Sequence, residues 1–253
     1  QHKRTKRESL DCALALEELT EMGVSNIITF DAHDPRVQNS IPLKGFDSFN
    51  PAYQFIKALL KAEPDLKVDK DHLMIISPDE GAMHRAVYFS NALGVDMGMF
   101  YKRRDYSTII NGKNPIVAHE FLGDDVTGKT VIIVDDMISS GGSLIDTFEH
   151  LKEKGARRIF SFITFGLFCN GLDKFDKAYK EGLFDKIFIT NLNYRPQAVL
   201  DRPWIVDVDL SKYTAYVIDA MNHDASIGDL IDPNKKIVSL LHKLKGDEPV
   251  DLG

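Results

Sequence analysis

"VIIVDDMISSGGSLIDT", residues 131–147, decides how this chain is read. Four β-branched residues run into two adjacent aspartates, Asp135 and Asp136. A small-residue turn follows, Ser139-Ser140-Gly141-Gly142-Ser143. An unbroken β-branched run marks a strand buried on both faces of a parallel sheet. In open α/β sheets, ligands sit at the carboxyl ends of such strands. Small residues let backbone N–H groups approach an anion, and the start of a helix adds a favourable dipole. The loop therefore suits a phosphate, and the carboxylates suit hydroxyls or a metal beside it. A phosphorylated sugar satisfies both halves. A plain strand–turn–helix with a capping serine fits the same letters. The stretch is neither a Walker loop nor a G-x-G-x-x-G turn.

Working outward, short apolar runs at 24–30, 72–77, 130–135, 158–164, 186–190 and 204–209 predict strands. Amphipathic segments at 8–22, 49–62, 80–93, 141–154 and 170–182 predict helices between them, and one short helix is expected beyond 234. Strand–helix alternation predicts an α/β fold with parallel sheets flanked by helices. The polar stretch 63–71, "EPDLKVDKD", reads as a domain linker. Apolar residues make up 43% of the 253 positions, enough for a sizeable core. The net charge of −7 does not favour nucleic acid, and no apolar run reaches membrane-spanning length. Cys12 and Cys169 match neither a zinc spacing nor a disulfide framework, so a cytoplasmic setting is expected. Cys169, Trp204 and the aromatics Phe160, Phe162, Phe165 and Phe168 read as packing residues.

Residues 131–147 resemble the phosphoribosyl-diphosphate (PRPP) motif of type I phosphoribosyltransferases and their relatives. Three further stretches resemble one branch, the ribose-phosphate diphosphokinases: "ITFDAHDPRVQNSIP" (28–42), "IISPDEGAMHRA" (75–86) and "YKRRDYS" (101–107). They occur in that family's order, with the phosphate loop after them. The chain departs from the family pattern at Ser139, which stands where an aspartate is usual, and at Phe165, which stands where a histidine is usual.

The resemblance implies two phosphoribosyltransferase-like domains. Residues 1–66 would be the end of the first, which is N-terminally incomplete; 67–212 the second; and 213–253 a helix packing back on the first, with a tail. It also implies roles. Asp135, Asp136, Ser139, Ser140, Gly141, Gly142 and Ser143 would bind ribose 5-phosphate. His33 and Asp79 would hold the Mg²⁺ carried by ATP, Lys102 and Arg104 would be catalytic, and Gln1 and His2 would contact ATP. The implied reaction moves the diphosphoryl group of Mg-ATP to the anomeric hydroxyl of ribose 5-phosphate, giving PRPP and AMP. The implied assembly is a homo-oligomer built from dimers. The segment after Arg104, as far as Gly128, reads as a long loop able to close over the site. A phosphoribosyltransferase and a non-catalytic regulatory subunit of the same family are the alternatives.

Overall fold

The computed structural model describes residues 8–104 and 116–245, with the backbone alone at 102–104, 116–119, 229, 244 and 245. A small N-terminal unit comes first: α1 (Asp11–Glu21), β1 (Asn26–Phe30), a 3-10 turn at Pro35–Ser40, and β2 (Gly45–Phe49). There follow α2 (Ala52–Ala62), β3 (Leu73–Ser77), α3 (Met83–Leu93), β4 (Asp96–Arg104), β5 (Ile116–Leu122) and β6 (Thr130–Ile138). Then come α4 (Gly142–Glu153), β7 (Arg158–Gly166), α5 (Asp173–Lys180), β8 (Lys186–Thr190), α6 (Gln197–Leu200) and β9 (Ile205–Val208). Helices α7 (Ser211–Asn222), α8 (Gly228–Ile231) and α9 (Asn234–Lys245) complete the described chain.

Strands β1 and β2 pair in parallel as a two-stranded sheet. The other seven form one sheet in the order β5-β4-β3-β6-β7-β8-β9. All its pairings are parallel except β4 with β5. The chain leaves β3 towards β4 on one side, then returns to lay β6 on the other side of β3. The order in which strands are added therefore reverses between the parallel neighbours β3 and β6, which makes this the topological switch point where ligands bind in such sheets.

Strand β6 explains its own composition. Val131 and Ile133 face one layer with Leu144, Phe148 and Leu151 of α4 and Phe175 of α5. Ile132 and Val134 face the other, with Phe55, Ile56 and Leu59 of α2 and Phe89 of α3. Both faces are apolar, so the strand reads as a continuous run rather than an alternation. Phe55 stacks on Phe162 of β7 with ring centroids 5.0 Å apart. Helix α2 thus shares a core with β3, and the stretch 63–71, expected to separate two domains, lies between elements of that one core. At the far end, Tyr213 of α7 packs edge-on against Phe30 and Phe49, tying α7 to the small sheet.

Three strands were not expected from the sequence: β2, β4 and β5. Residues 116–122 were read as part of a long loop, but they are the antiparallel edge strand. In β4 a glycine interrupts the apolar pattern. A Cβ at Gly98 would lie 2.4 Å from the Phe121 ring, so the glycine admits close cross-strand packing. Cys169 is exposed rather than packed, and Phe165 is only half-buried. Trp204, Phe160, Phe162 and Phe168 are core residues.

Candidate active site

The switch point gathers the acidic residues. Asp79 lies just past the end of β3, where its Oδ1 accepts the backbone N–H groups of Gly81 (2.9 Å) and Ala82 (3.3 Å). The Ser77 hydroxyl donates to the Asp79 carbonyl at 2.7 Å and tightens the same turn. Asp135 and Asp136 lie near the end of the neighbouring strand β6. Burial pushes the Asp135 carboxyl well above the usual range, and the adjacent Asp136 and then Asp79 push it further. Three acidic groups thus converge across two neighbouring strand ends.

The phosphate-type loop follows directly. Ser139, Ser140, Gly142 and Ser143 are exposed, and Gly141 is buried. Gly141 has φ +77°, in the left-handed region, and a Cβ there would fall 2.3 Å from Cζ of Phe175. Glycine is therefore required on both counts. Helix α4 opens without a side-chain cap, so the N–H groups of its first turn face the loop. The Cys169 N–H donates to the Ser139 carbonyl at 2.9 Å and braces the loop from the β7 side.

The third wall comes from the small unit. Asp31 follows β1 with φ +47°, and its N–H donates to the Phe49 carbonyl at 2.8 Å. The Ala32 N–H donates to the Ser48 hydroxyl at 2.9 Å. This brings His33 to the cleft, where Nδ1 lies 2.9 Å from Oδ2 of Asp136. Beneath them is Arg85 of α3, its side chain 4% exposed. Its Nε donates to Asp31 Oδ1 at 2.5 Å and its Nη2 to the Ala32 carbonyl at 3.1 Å. Nη1 stands 3.8 Å from Asp136 Oδ1. The Thr164 hydroxyl of β7 donates to the other Asp31 oxygen at 2.6 Å.

The structure therefore joins His33 to Asp136 and sets Asp79 beside Asp135, with the loop 139–143 adjoining. Lys102 and Arg104 lie on β4, which runs parallel to β3 with Ser77 opposite Met99 and continues past the end of β3. Their backbones pair with His119 and Ile116 of β5, with an irregularity between Arg103 and Arg104; their side chains lie outside the described residues. Gln1 and His2 also lie outside them. Sequence reasoning gave no role to Arg85, Thr164 or Asp31. The one signal was an arginine set among the apolar positions of α3.

Mg²⁺ takes oxygen ligands and keeps water and substrate phosphates around it, so one or two carboxylates suffice. Among the described residues, no three His, Cys, Asp or Glu side chains form a ready metal cage. Asp79, expected to hold Mg²⁺ together with His33, supplies a hard oxygen donor, and a cation beside it would relieve the crowding that raises the Asp135 carboxyl. The donor set fits Mg²⁺.

Residues 52–188 match the family described as "Phosphoribosyl transferase domain". The chain belongs to this family. Curated relatives carry the name ribose-phosphate pyrophosphokinase, as the sequence resemblance led us to expect. One from Ureaplasma parvum is 31% identical over 190 residues, covering 75% of this chain and 54% of the relative. One from Mycoplasma pneumoniae is 29% identical over 226 residues, covering 87% of this chain and 63% of the relative. A third, "Ribose-phosphate pyrophosphokinase 5" from Schizosaccharomyces pombe, is 30% identical over 216 residues, covering 84% and 57%. The chain thus spans between 54% and 63% of these three relatives. Phosphoribosylpyrophosphate synthetase from Mycobacterium smegmatis has the same fold, with TM-score 0.73 and 21% identity over 88% of this chain and 67% of that one.

Proposed function

We propose that this phosphoribosyl transferase domain works in ribose-phosphate diphosphokinase chemistry. The diphosphoryl group of Mg-ATP passes to the anomeric hydroxyl of ribose 5-phosphate, yielding PRPP and AMP. The observation that carries this reading over a plain phosphoribosyltransferase is the contact of His33 with Asp136. It brings a residue from outside the matched span 52–188 into the acidic end of the site. The similarity to the pyrophosphokinases likewise covers more of the chain than that span.

In this reading Asp135 and Asp136 orient the ribose through its hydroxyls. The loop Ser139, Ser140, Gly141, Gly142 and Ser143 holds the 5-phosphate through backbone N–H groups, hydroxyls and the dipole of α4. His33 and Asp79 hold the Mg²⁺ of ATP; when bound, that ion offsets the negative charge of the phosphate oxygens. Lys102 and Arg104, on a strand continuing past β3, set positive charge against the transferring group. The nucleophile belongs to the substrate, so the protein's contribution is positioning and electrostatics. Gln1 and His2 contact ATP in a homo-oligomer built from dimers, in the cytoplasm. Among the described residues no helix is long and apolar enough to cross a membrane.

The test is AMP formation by the full-length protein from ATP, Mg²⁺ and ribose 5-phosphate, with and without Lys102→Ala. Ribose-5-phosphate-dependent AMP that collapses in the variant supports the reading. No AMP, with ribose 5-phosphate still bound, sinks it in favour of a regulatory subunit, to which Ser139 in the loop would then point.

A further inference from the structure

The small unit and the large sheet meet at one buried arginine. Arg85 lies in the first turn of α3, just after the turn that carries Asp79. Its fork reaches both units at once. Nε and Nη2 grip the small unit, at Asp31 Oδ1 (2.5 Å) and the Ala32 carbonyl (3.1 Å). Nη1 faces Asp136 Oδ1 of β6 at 3.8 Å. The second Asp31 oxygen accepts the Thr164 hydroxyl of β7 at 2.6 Å, and the Thr164 carbonyl accepts the Thr190 hydroxyl of β8 at 2.6 Å. Asp31 thus belongs to the small unit and spends both carboxylate oxygens on the elements of the large sheet. Residues 31–34 form neither helix nor strand, and Asp31 stands at φ +47°. A turn of this kind keeps its shape through side-chain partners rather than a backbone ladder.

Resting on the reading above, we propose that Arg85 and Thr164 are positioning residues for the binding of the metal–nucleotide. Acting through Asp31, they lock the turn that ends in His33 onto the ligand end of the large sheet, and so set the aim of His33. Both are too buried to touch a substrate, Arg85 with a side chain 4% exposed and Thr164 at 1%. Arginine suits the post because its planar fork serves several acceptors in fixed directions. A lysine offers one point charge and cannot serve Asp31, the Ala32 carbonyl and Asp136 together. The Thr164 hydroxyl donates to Asp31, and a valine of nearly the same shape cannot. Asp79 and Arg85 leave the end of β3 on one short piece of chain. That piece therefore carries one residue of the metal pair and aims the other.

The test compares T164V, T164S and R85K with wild type in the full-length protein. Binding of Mn²⁺ with α,β-methylene-ATP is followed by electron paramagnetic resonance. T164V and R85K should each weaken it by about tenfold or more, as the loss of an outer partner of a ligand does. T164S keeps the donor and should stay within about twofold of wild type. A role in packing alone predicts the reverse order, because valine keeps the volume of Thr164 and serine does not. Amide hydrogen exchange gives a readout independent of nucleotide. The N–H groups of Asp31 and Ala32, which donate to the Phe49 carbonyl and the Ser48 hydroxyl, should exchange about tenfold faster in T164V. The Ile187 N–H, bonded to the Trp204 carbonyl within the large sheet, should stay within about twofold. Binding weakened as much in T164S as in T164V, or exchange at Asp31 and Ala32 unchanged in T164V, overturns the proposal. Wild-type protein that binds no Mn²⁺–nucleotide counts against the diphosphokinase reading and not against the lock, which the exchange rates still decide.

Discussion

Replacing Gly141 by alanine tests the loop from the side of stability. The residue has φ +77°, and an L-residue in the left-handed region costs roughly 1–2 kcal/mol. Its new methyl would lie 2.3 Å from Cζ and 2.4 Å from Cε2 of Phe175. Phe175 is itself fixed, with its ring stacked 5.7 Å from Trp204. Forcing a methyl into a packed core typically costs about 1–3 kcal/mol. Together G141A should lose about 2–5 kcal/mol, a fall in Tm of roughly 4–20 °C for a chain of this size. Trp204 is the only tryptophan and is buried, so its fluorescence follows urea unfolding next to the perturbation. Trimming Phe175 to leucine should remove part of the clash, so G141A should cost less in the F175L background than in wild type. Gly142 provides the contrast, since a Cβ there meets nothing within 4 Å. G142A should be neutral or stabilising by up to about 1 kcal/mol. If G141A is as harmless as G142A, or its cost is unchanged by F175L, the packing account of the loop is wrong.

Two further outcomes follow from the ion pairs. Arg85→Met strands the buried carboxylates of Asp31 and Asp136 and should cost about 3–5 kcal/mol by urea unfolding; a loss under 1 kcal/mol would show those acids to be solvated. Glu63, at the end of α2, joins Arg158 (2.8 Å) and Lys186 (2.7 Å) at the starts of β7 and β8. Burial alone would raise its carboxyl, but hydrogen bonds and charge from Arg158 and Lys186 outweigh that and hold it below its usual value. A lowered carboxylate stabilises fully above its unfolded value and loses that stabilisation as pH falls through its folded one. Stability should therefore fall from about pH 5 downwards in wild type, and Glu63→Gln should be less stable by about 1–2 kcal/mol near neutrality with a flatter acid limb. Parallel pH profiles for the two proteins would remove Glu63 from the account.

The large sheet was legible in the sequence because its central strands are apolar on both faces. The runs ending at Ser77, Asp135, Thr164 and Thr190 each announce themselves. The edges were not. Strand β4 mixes Gly98 with charged residues, and β5 sits in a segment rich in turn signals, so only the partner strand reveals either. The loop 139–143 was legible because two adjacent acids and a run of small residues follow a buried strand. The buried network was not. Thr164, Asp31, Arg85 and Asp136 are far apart in sequence, and each has an ordinary local reading.

That network explains why an acidic pair can serve in a strand at all. Strand β6 carries both acids to one end of the cleft, where Asp136 meets His33 and Arg85 and Asp135 meets Asp136 and Asp79. Helix α3 brings Arg85 to one face, where it offsets the charge of Asp136 and Asp31 together. The Asp135 carboxyl is instead raised by its own burial, by Asp136 and then by Asp79. The strand thus holds one carboxylate already matched by a cation and one crowded by negative charge. A cation or a hydroxyl arriving beside Asp135 would offset that crowding.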